Sequence, residues 1–284
     1  MAPTSPNACP TRLTKHEGLG NDFLVAINPA HPLDANHARR WCDRHRGIGA
    51  DGLISLTGVG RGDGLARATS AAATAPPVMR LWNADGSTAE ISGNGIRCVA
   101  QALAMHAGIR GEATFEVLTD AGLRRLALTP TDDPNTVQVR VDMGVARTGP
   151  PDSERWADLE VQVTRQRGVD VGNPHLVALV DDPHRYDLAL VGPAVEAEYP
   201  EGLNVHLVRV IDRSAIEMRI WERGAGVTQA CGSGACAAGF ATNQWGLVDS
   251  PVTVAMPGGS VAVEVGDTIH LTGPARFIAS VEIP

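Results

Sequence analysis

The sequence predicts an α/β (α+β) fold made of two similar halves, and three observations carry that expectation. Short strand-like runs outnumber helices and are separated by glycine-punctuated turns. Two segments repeat one local pattern: a strand, a polar turn, Ser/Cys-Gly-Asn/Ser-Gly, then a helix. The matching parts are Ser92-Gly93-Asn94-Gly95 and Cys231-Gly232-Ser233-Gly234. The order of strands, helix and strands also runs twice along the chain, as in a two-fold internal repeat. With 284 residues, 43% of them hydrophobic, there is apolar material for two cores of ordinary size.

The elements follow in order. Residues 1–10 are rich in Pro, Ser and Asn and read as a frayed leader. Strands are expected at 11–16 and 23–27 around the glycine turn 17–22. A helix is expected at 34–45, with Asp34 as N-cap. A strand at 53–56 leads to a low-complexity insert, 58–77, which reads as a surface loop. A strand at 78–82 precedes the first Ser-Gly-Asn-Gly turn. Ile96, Val99, Ala100, Leu103 and Ala107 then recur at helical spacing, so 95–106 reads as a helix with one apolar face, ended by Gly108. Strands are expected at 113–118, 122–128, 136–142, 159–164 and 175–180, with a turn over 168–174. A short helix at 188–198 and strands at 204–211 and 216–221 lead to the second glycine turn, whose small-residue helix runs to about Trp245. Strands at 252–255, 260–265, 268–272 and 276–282 close the chain. The boundary is placed near 140: residues 1–140 form the first half and 141–273 the second, with the last strand, about 274–284, a candidate to join the first.

Composition removes several functions. A net charge of −8 argues against a nucleic-acid or anionic-membrane partner. No apolar run is long enough to span a bilayer, and no basic-then-apolar leader opens the chain. Cys9, Cys42, Cys98, Cys231 and Cys236 are scattered with no Cys-x-x-Cys pair, which argues for a reducing cytoplasm and against a disulfide framework or a structural zinc site. No metal is expected, since the histidines are dispersed and the carboxylates unclustered. Of the 24 basic residues only Lys15 is a lysine, so a Schiff-base mechanism has one candidate, in an N-terminal strand with no phosphate cup beside it. A dinucleotide fingerprint, Gly232-x-Gly234-x-x-Ala237, matches only loosely and lacks a βαβ context.

The chemistry centres on the two glycine-rich helix starts. Unsatisfied backbone N–H groups and the positive end of the dipole hold a carboxylate there, or lower the pKa of a thiol. Cys231 is therefore expected to be an acidic, reactive thiol, against the plainer reading of an inert cysteine at a helix start. Two such N-termini serving one ligand would place an acid or base on each face of a carbon, which is what inversion of a stereocentre requires.

The motifs resemble those of the diaminopimelate epimerases. The similar segments are Gly18-Leu19-Gly20-Asn21-Asp22, Gly47-Ile48-Gly49-Ala50-Asp51-Gly52, Asn83-Ala84-Asp85-Gly86-Ser87, Gly93-Asn94-Gly95-Ile96-Arg97, Gly172-Asn173-Pro174-His175, Glu201-Gly202-Leu203-Asn204-Val205, Glu222-Arg223-Gly224-Ala225-Gly226 and Ala230-Cys231-Gly232-Ser233-Gly234. They span nearly the whole chain in the family's order. The resemblance implies two pseudo-symmetric halves, each a mixed, barrel-like sheet around a central helix, with the active site in the cleft between them. It implies cofactor-independent interconversion of LL- and meso-2,6-diaminopimelate on the route to lysine and peptidoglycan, by a cytoplasmic homodimer with a small amino-acid substrate. Cys231 looks like one of the two acid/base thiols, with His175 and Glu222 tuning the catalytic groups. Gly93 and Asn94 from one half, and Gly232 and Ser233 from the other, would bind the reacting α-carboxylate. Asn21, Asn83, Asn173, Asn204, Glu222 and Arg223 look like substrate contacts, Arg223 being suited to a carboxylate by its planar fork.

One position departs from the family. Ser92 stands where the second catalytic cysteine is usual, and a hydroxyl is far less acidic than a thiol. Three readings are open. Ser92 is a natural variant that still relays a proton with help from His175, Glu222 or water; or an engineered replacement of an acid/base thiol, made to trap a substrate complex; or the mark of a relative with another substrate or a one-sided reaction such as dehydration. The rival functions are accordingly another pyridoxal-independent amino-acid racemase of the same fold and a catalytically weak ligand-binding relative.

Overall fold

The structure, a computed structural model, describes residues 11–60 and 75–283; the expected leader, Cys9 and most of the low-complexity insert lie outside them. The chain divides into two compact units, one running to Val139 and resuming at Ala275, the other Arg140–Pro274.

The first unit opens with an antiparallel pair, β1 (Thr11–Gly18) and β2 (Asn21–Ile27). Helix α1 (Ala35–Trp41) leads to β3 (Gly52–Thr57), parallel to β2. Strand β4 (Val78–Asn83) returns antiparallel to β3, and the short β5 (Thr88–Ala89) pairs with β4. Helix α2 (Gly93–His106) follows. Strand β6 (Ala113–Thr119) lies parallel to β4, β7 (Gly122–Pro130) lies antiparallel to β6, and β8 (Thr136–Gly144) carries the chain into the second unit.

The second unit repeats this plan. A two-residue strand, β9 (Arg147–Thr148), pairs with β10 (Arg165–Asp170), which is antiparallel to β11 (Pro174–Leu179). Helix α3 (Leu188–Glu196) leads to β12 (Asn204–Asp212), parallel to β11. Strand β13 (Ala215–Glu222) is antiparallel to β12, and β14 (Gly226–Thr228) pairs with β13. Helix α4 (Gly232–Gln244) precedes β15 (Val252–Met256), parallel to β13, and β16 (Gly259–Val265), antiparallel to β15. Strand β17 (Ile269–Ile283) pairs first with β16 and then, in the first unit, with β1.

Each mixed sheet holds one buried helix. Helix α2 packs on β1, β2 and β7, and every residue from Gly93 to Ala104 is buried. The expected single apolar face is therefore corrected to a helix enclosed on all sides, and Arg97 and Gln101 are buried with it. Helix α4 packs on strands β10 to β13, β15 and β16. Its small residues let it approach closely: a Cβ on Gly239 would fall 2.8 Å from Val263 and 3.2 Å from Val252. The opposite faces of the sheets have their own cores. Leu24, Leu53, Ala38 and Trp41 cluster with α1, and Leu176, Val205, Leu207 and Val191 cluster with α3.

Three element expectations are corrected. The strand expected at 159–164 is turn and irregular chain, and the strand lies at 165–170, part of which was read as a turn. Leu159, Val161 and Val163 alternate as in a strand, but they pack together against the α3-side core, and Glu160 takes a left-handed φ of 54° that breaks the extended run. The helix expected to reach His45 stops at Trp41, because the Asp43 side chain accepts from the N–H groups of His45 and Arg46. The two strands expected at 268–272 and 276–282 are one; its change of partner falls around Pro274, which has no N–H for a ladder.

Candidate active site

In the first unit, Ser92 caps α2. Its φ of −126° and ψ of 122° are extended, and its Oγ accepts from the Gly95 N–H at 3.1 Å. Gly93 and Asn94 form the first helical turn. Arg97, fully buried, donates to the Gly93 carbonyl at 3.0 Å and to Asn94 Oδ1 at 2.9 Å. That fixes the amide so that Asn94 Nδ2 donates to Asn21 Oδ1 at 3.3 Å. Asn21 in turn donates to Asp51 Oδ2 at 2.7 Å. Ser92, Gly93, Asn94 and Asn21 are thus brought together at one end of the helix. Asn83 is exposed and bonds within its own turn, to Ser87.

A charged network holds the turn that carries Asn21. Asp22 accepts from Lys15 at 2.8 Å and from Arg44 at 2.7 Å, and Arg44 also reaches Asp51 at 2.7 Å. Burial works against ionising Asp22, yet the bonds from Arg44 and Lys15 outweigh it and hold the carboxyl below its ordinary range. Lys15 also donates to the Gly49 carbonyl at 2.6 Å. The chain's one lysine is committed to these structural bonds.

In the second unit, Cys231 caps α4 as Ser92 caps α2. Its φ of −132° and ψ of 112° are extended, and Sγ accepts from the Gly234 N–H at 3.3 Å, with Ser233 Oγ 3.6 Å away. Burial pushes the Cys231 thiol well above its ordinary value, and the charge and hydrogen bond of Glu222 push it further. Ser233 and the Gly234 N–H pull the other way without reversing the balance. The expectation of a depressed thiol pKa is therefore corrected: with its pKa pushed up by burial and by Glu222, Cys231 is a thiol at neutral pH. Thr228 Oγ1 donates to Glu222 Oε1 at 2.6 Å and fixes that carboxylate.

Behind this turn lie Asn204 and His175, neighbours in the parallel register of β11 and β12. Asn204 donates to the Pro174 carbonyl at 2.9 Å and accepts from the Arg223 N–H at 3.1 Å. The Arg223 guanidinium reaches the Glu201 carbonyl at 2.7 Å. His175 bonds Asn173 Oδ1 through Nε2 at 2.9 Å and His206 through Nδ1 at 2.8 Å. Burial pulls His175 well below its ordinary pKa, aided by His206 and Arg223, and burial lowers His206 to about 3. Both rings are neutral.

Sequence reasoning missed Asp51, Thr228 and His206. A signal for His206 was present: it stands two residues beyond Asn204 on β12, and so on the same face of the strand. Among the described residues no group of three His, Cys, Asp or Glu could hold a metal ion. No described helix is long and apolar enough to cross a membrane.

The fold, two mixed sheets each around a buried helix, is shared with solved epimerase structures. A predicted epimerase from Pseudomonas aeruginosa aligns with a TM-score of 0.73 at 19% identity, covering 96% of this chain and 99% of that one. A hydroxyproline epimerase from Agrobacterium vitis aligns with a TM-score of 0.65 at 16% identity, covering 96% and 92%. Closer in sequence are "Diaminopimelate epimerase 1" of Nostoc sp., 38% identical over 92% of this chain and 95% of its own length, and "Diaminopimelate epimerase" of Magnetococcus marinus, 39% identical over 94% and 95%. The family model described as diaminopimelate epimerase matches residues 13–149 and 168–278. The chain belongs to the diaminopimelate epimerase family.

Proposed function

We propose that this protein interconverts LL- and meso-2,6-diaminopimelate without a cofactor, by removing the Cα proton on one face and returning one on the other. Family membership supports the substrate. The observation that carries the chemistry is the equivalence of Ser92 and Cys231. Each is the N-cap of its unit's buried helix, with its side-chain heteroatom accepting from the N–H three residues on.

Gly232 and Ser233, and Gly93 and Asn94, present helix N-termini suited to the α-carboxylate and to the negative charge that spreads onto it as the proton leaves. Cys231 acts as acid or base. As acid it gives the thiol proton to the carbanion, forming the new Cα–H bond. As base it first passes that proton to Glu222, and the thiolate then takes the Cα proton. Thr228 keeps Glu222 in reach, and His175 supports the site as a neutral hydrogen-bonding ring. Asn21, Asn83, Asn173, Asn204, Glu222 and Arg223 contact the substrate. Ser92, a natural variant in this reading, relays the second proton from its hydroxyl and regains one from water or a neighbouring group.

The family resemblance also supports a cytoplasmic homodimer serving lysine and peptidoglycan precursor synthesis. The test is a stereochemical assay of the purified protein on LL-diaminopimelate with no cofactor added. Meso product, lost in Cys231→Ala, is expected. Inversion that survives Cys231→Ala would contradict the assignment. The Ser92 hydroxyl favours one alternative, a ligand-binding relative with little turnover, which would bind diaminopimelate and leave its configuration unchanged.

A further inference from the structure

The histidine pair behind the catalytic turn has a direction that can be worked out from its partners. The Asn173 amide oxygen only accepts, so the proton in its 2.9 Å contact belongs to His175 Nε2. A neutral imidazole has one N–H, which leaves His175 Nδ1 bare. The 2.8 Å contact with His206 must then be a donation from His206 Nε2. The remaining nitrogen, His206 Nδ1, is buried with no hydrogen-bond partner among the described residues. In this arrangement it is a bare acceptor. Turning the Asn173 amide over would reverse the chain and strand an N–H at that nitrogen, the costlier kind of unmet group.

The same ring also supports the thiol's turn. A Cβ built on Gly234 would lie 2.5 Å from His206 Cε1 and 3.1 Å from Cys231 Sγ. The His206 ring therefore fills the notch that the absence of a side chain at Gly234 leaves. His206 is fully buried, and its ring stacks near that of His175 with centroids 5.1 Å apart.

We propose that His206 is a positioning residue. It donates its Nε2 proton to His175, which locks His175 as the Nε2–H tautomer on Asn173, and its ring sets the height of the helix turn under Cys231. One consequence concerns the ligand. With its oxygen held by His175, Asn173 has its NH2 group to offer, a donor for a carboxylate rather than an acceptor for an ammonium group.

The tautomer can be read directly by 15N NMR of histidine-labelled protein, with His206→Gln and His206→Leu to assign the rings. The intact protein is expected to show His175 protonated on Nε2 alone; His175 protonated on Nδ1 would overturn the proposal without any variant. His206→Leu removes the donor and is expected to mix the His175 tautomers and lower kcat/KM about tenfold, the scale of one hydrogen bond. His206→Gln keeps an N–H and is expected to recover to within about threefold of the intact enzyme. Equal losses in the two variants, or an unchanged His175 spectrum in His206→Leu, would contradict it. Should His206→Leu not fold, the spectrum of the intact protein decides. The catalytic half of the proposal rests on the epimerase reading, whereas the tautomer does not: a protein with the expected spectrum and no epimerase activity would sink that reading alone.

Discussion

At the scale of single residues, the decisive contrast is between two N-caps of the same geometry and different acidity. Cys231 is held as a thiol by burial and by Glu222. Replacing Glu222 with Gln removes the negative charge, so the thiolate should appear at lower pH than in the intact protein. Ultraviolet titration of the thiolate checks this, and an upward shift would contradict the role given to Glu222. Turnover should fall in the same variant, because the thiol then has no carboxylate to take its proton. On the other side, Ser92→Cys supplies a group whose pKa is far nearer neutrality. It should raise turnover by about tenfold to a hundredfold, within the range of general acid–base effects; a fall would mean that the site is built around the hydroxyl. Several of these residues could be read from the sequence because turn chemistry marks them: Asn before Gly or Pro, and Cys or Ser at a helix start. Thr228 could not, since a lone threonine at a strand end has the pattern of ordinary sheet residues, and His206 was marked only by its place two residues beyond Asn204 on one strand face. The thiol's raised pKa was hidden for a different reason. The helix N-terminus is local and visible in sequence, whereas the burial and the neighbouring carboxylate that outweigh it are tertiary.

At the scale of elements, the two buried helices set each unit's core. Leu103 is fully buried in α2, and Leu103→Ala should destabilise the protein by about 2–5 kcal/mol. Gly239→Ala on α4 pushes a methyl into Val263 and should cost about 1–3 kcal/mol by overpacking. Denaturant unfolding measures both, and a neutral Gly239→Ala would show that α4 has room to move away from β15 and β16. Helices α2 and α4 were legible because each opens on a Ser/Cys-Gly-x-Gly turn, followed in α2 by apolar residues at helical spacing and in α4 by a run of small residues. The error at residues 159–164 has the opposite origin. Alternating Leu159, Val161 and Val163 satisfy the strand pattern, but backbone pairing went to Arg165–Asp170, whose polar composition concealed it. Strand pairing is settled by partners far along the chain, and β10 is defined by β11 rather than by its own residues.

At the scale of the whole molecule, the two units use the same sequence of pairings, from the first hairpin to the strand that leaves for the other unit. The repeated Ser/Cys-Gly-x-Gly turn carried this information in the sequence, and the repeat of each parallel and antiparallel partner appears only in the structure. Stability should follow the buried histidines. Burial lowers His16 from 6.5 to about 4 and His206 from 6.5 to about 3, with His175 lowered as well. Below pH 6.5 the unfolded chain takes up protons that the folded protein refuses. Stability is therefore full above that pH and falls as pH drops towards 4, by about 1.4 kcal/mol per pH unit for each histidine. Urea unfolding between pH 7 and pH 4 tests this, and a flat profile would contradict it.

Proton removal on one face and return on the other leaves an isotopic record when LL-diaminopimelate is incubated with the protein in deuterated water and no cofactor. Meso product carrying deuterium at the inverted Cα is the expected result. Deuterium entering recovered LL substrate with no inversion would mean that Cys231 works without a partner at Ser92, and would contradict the two-sided mechanism.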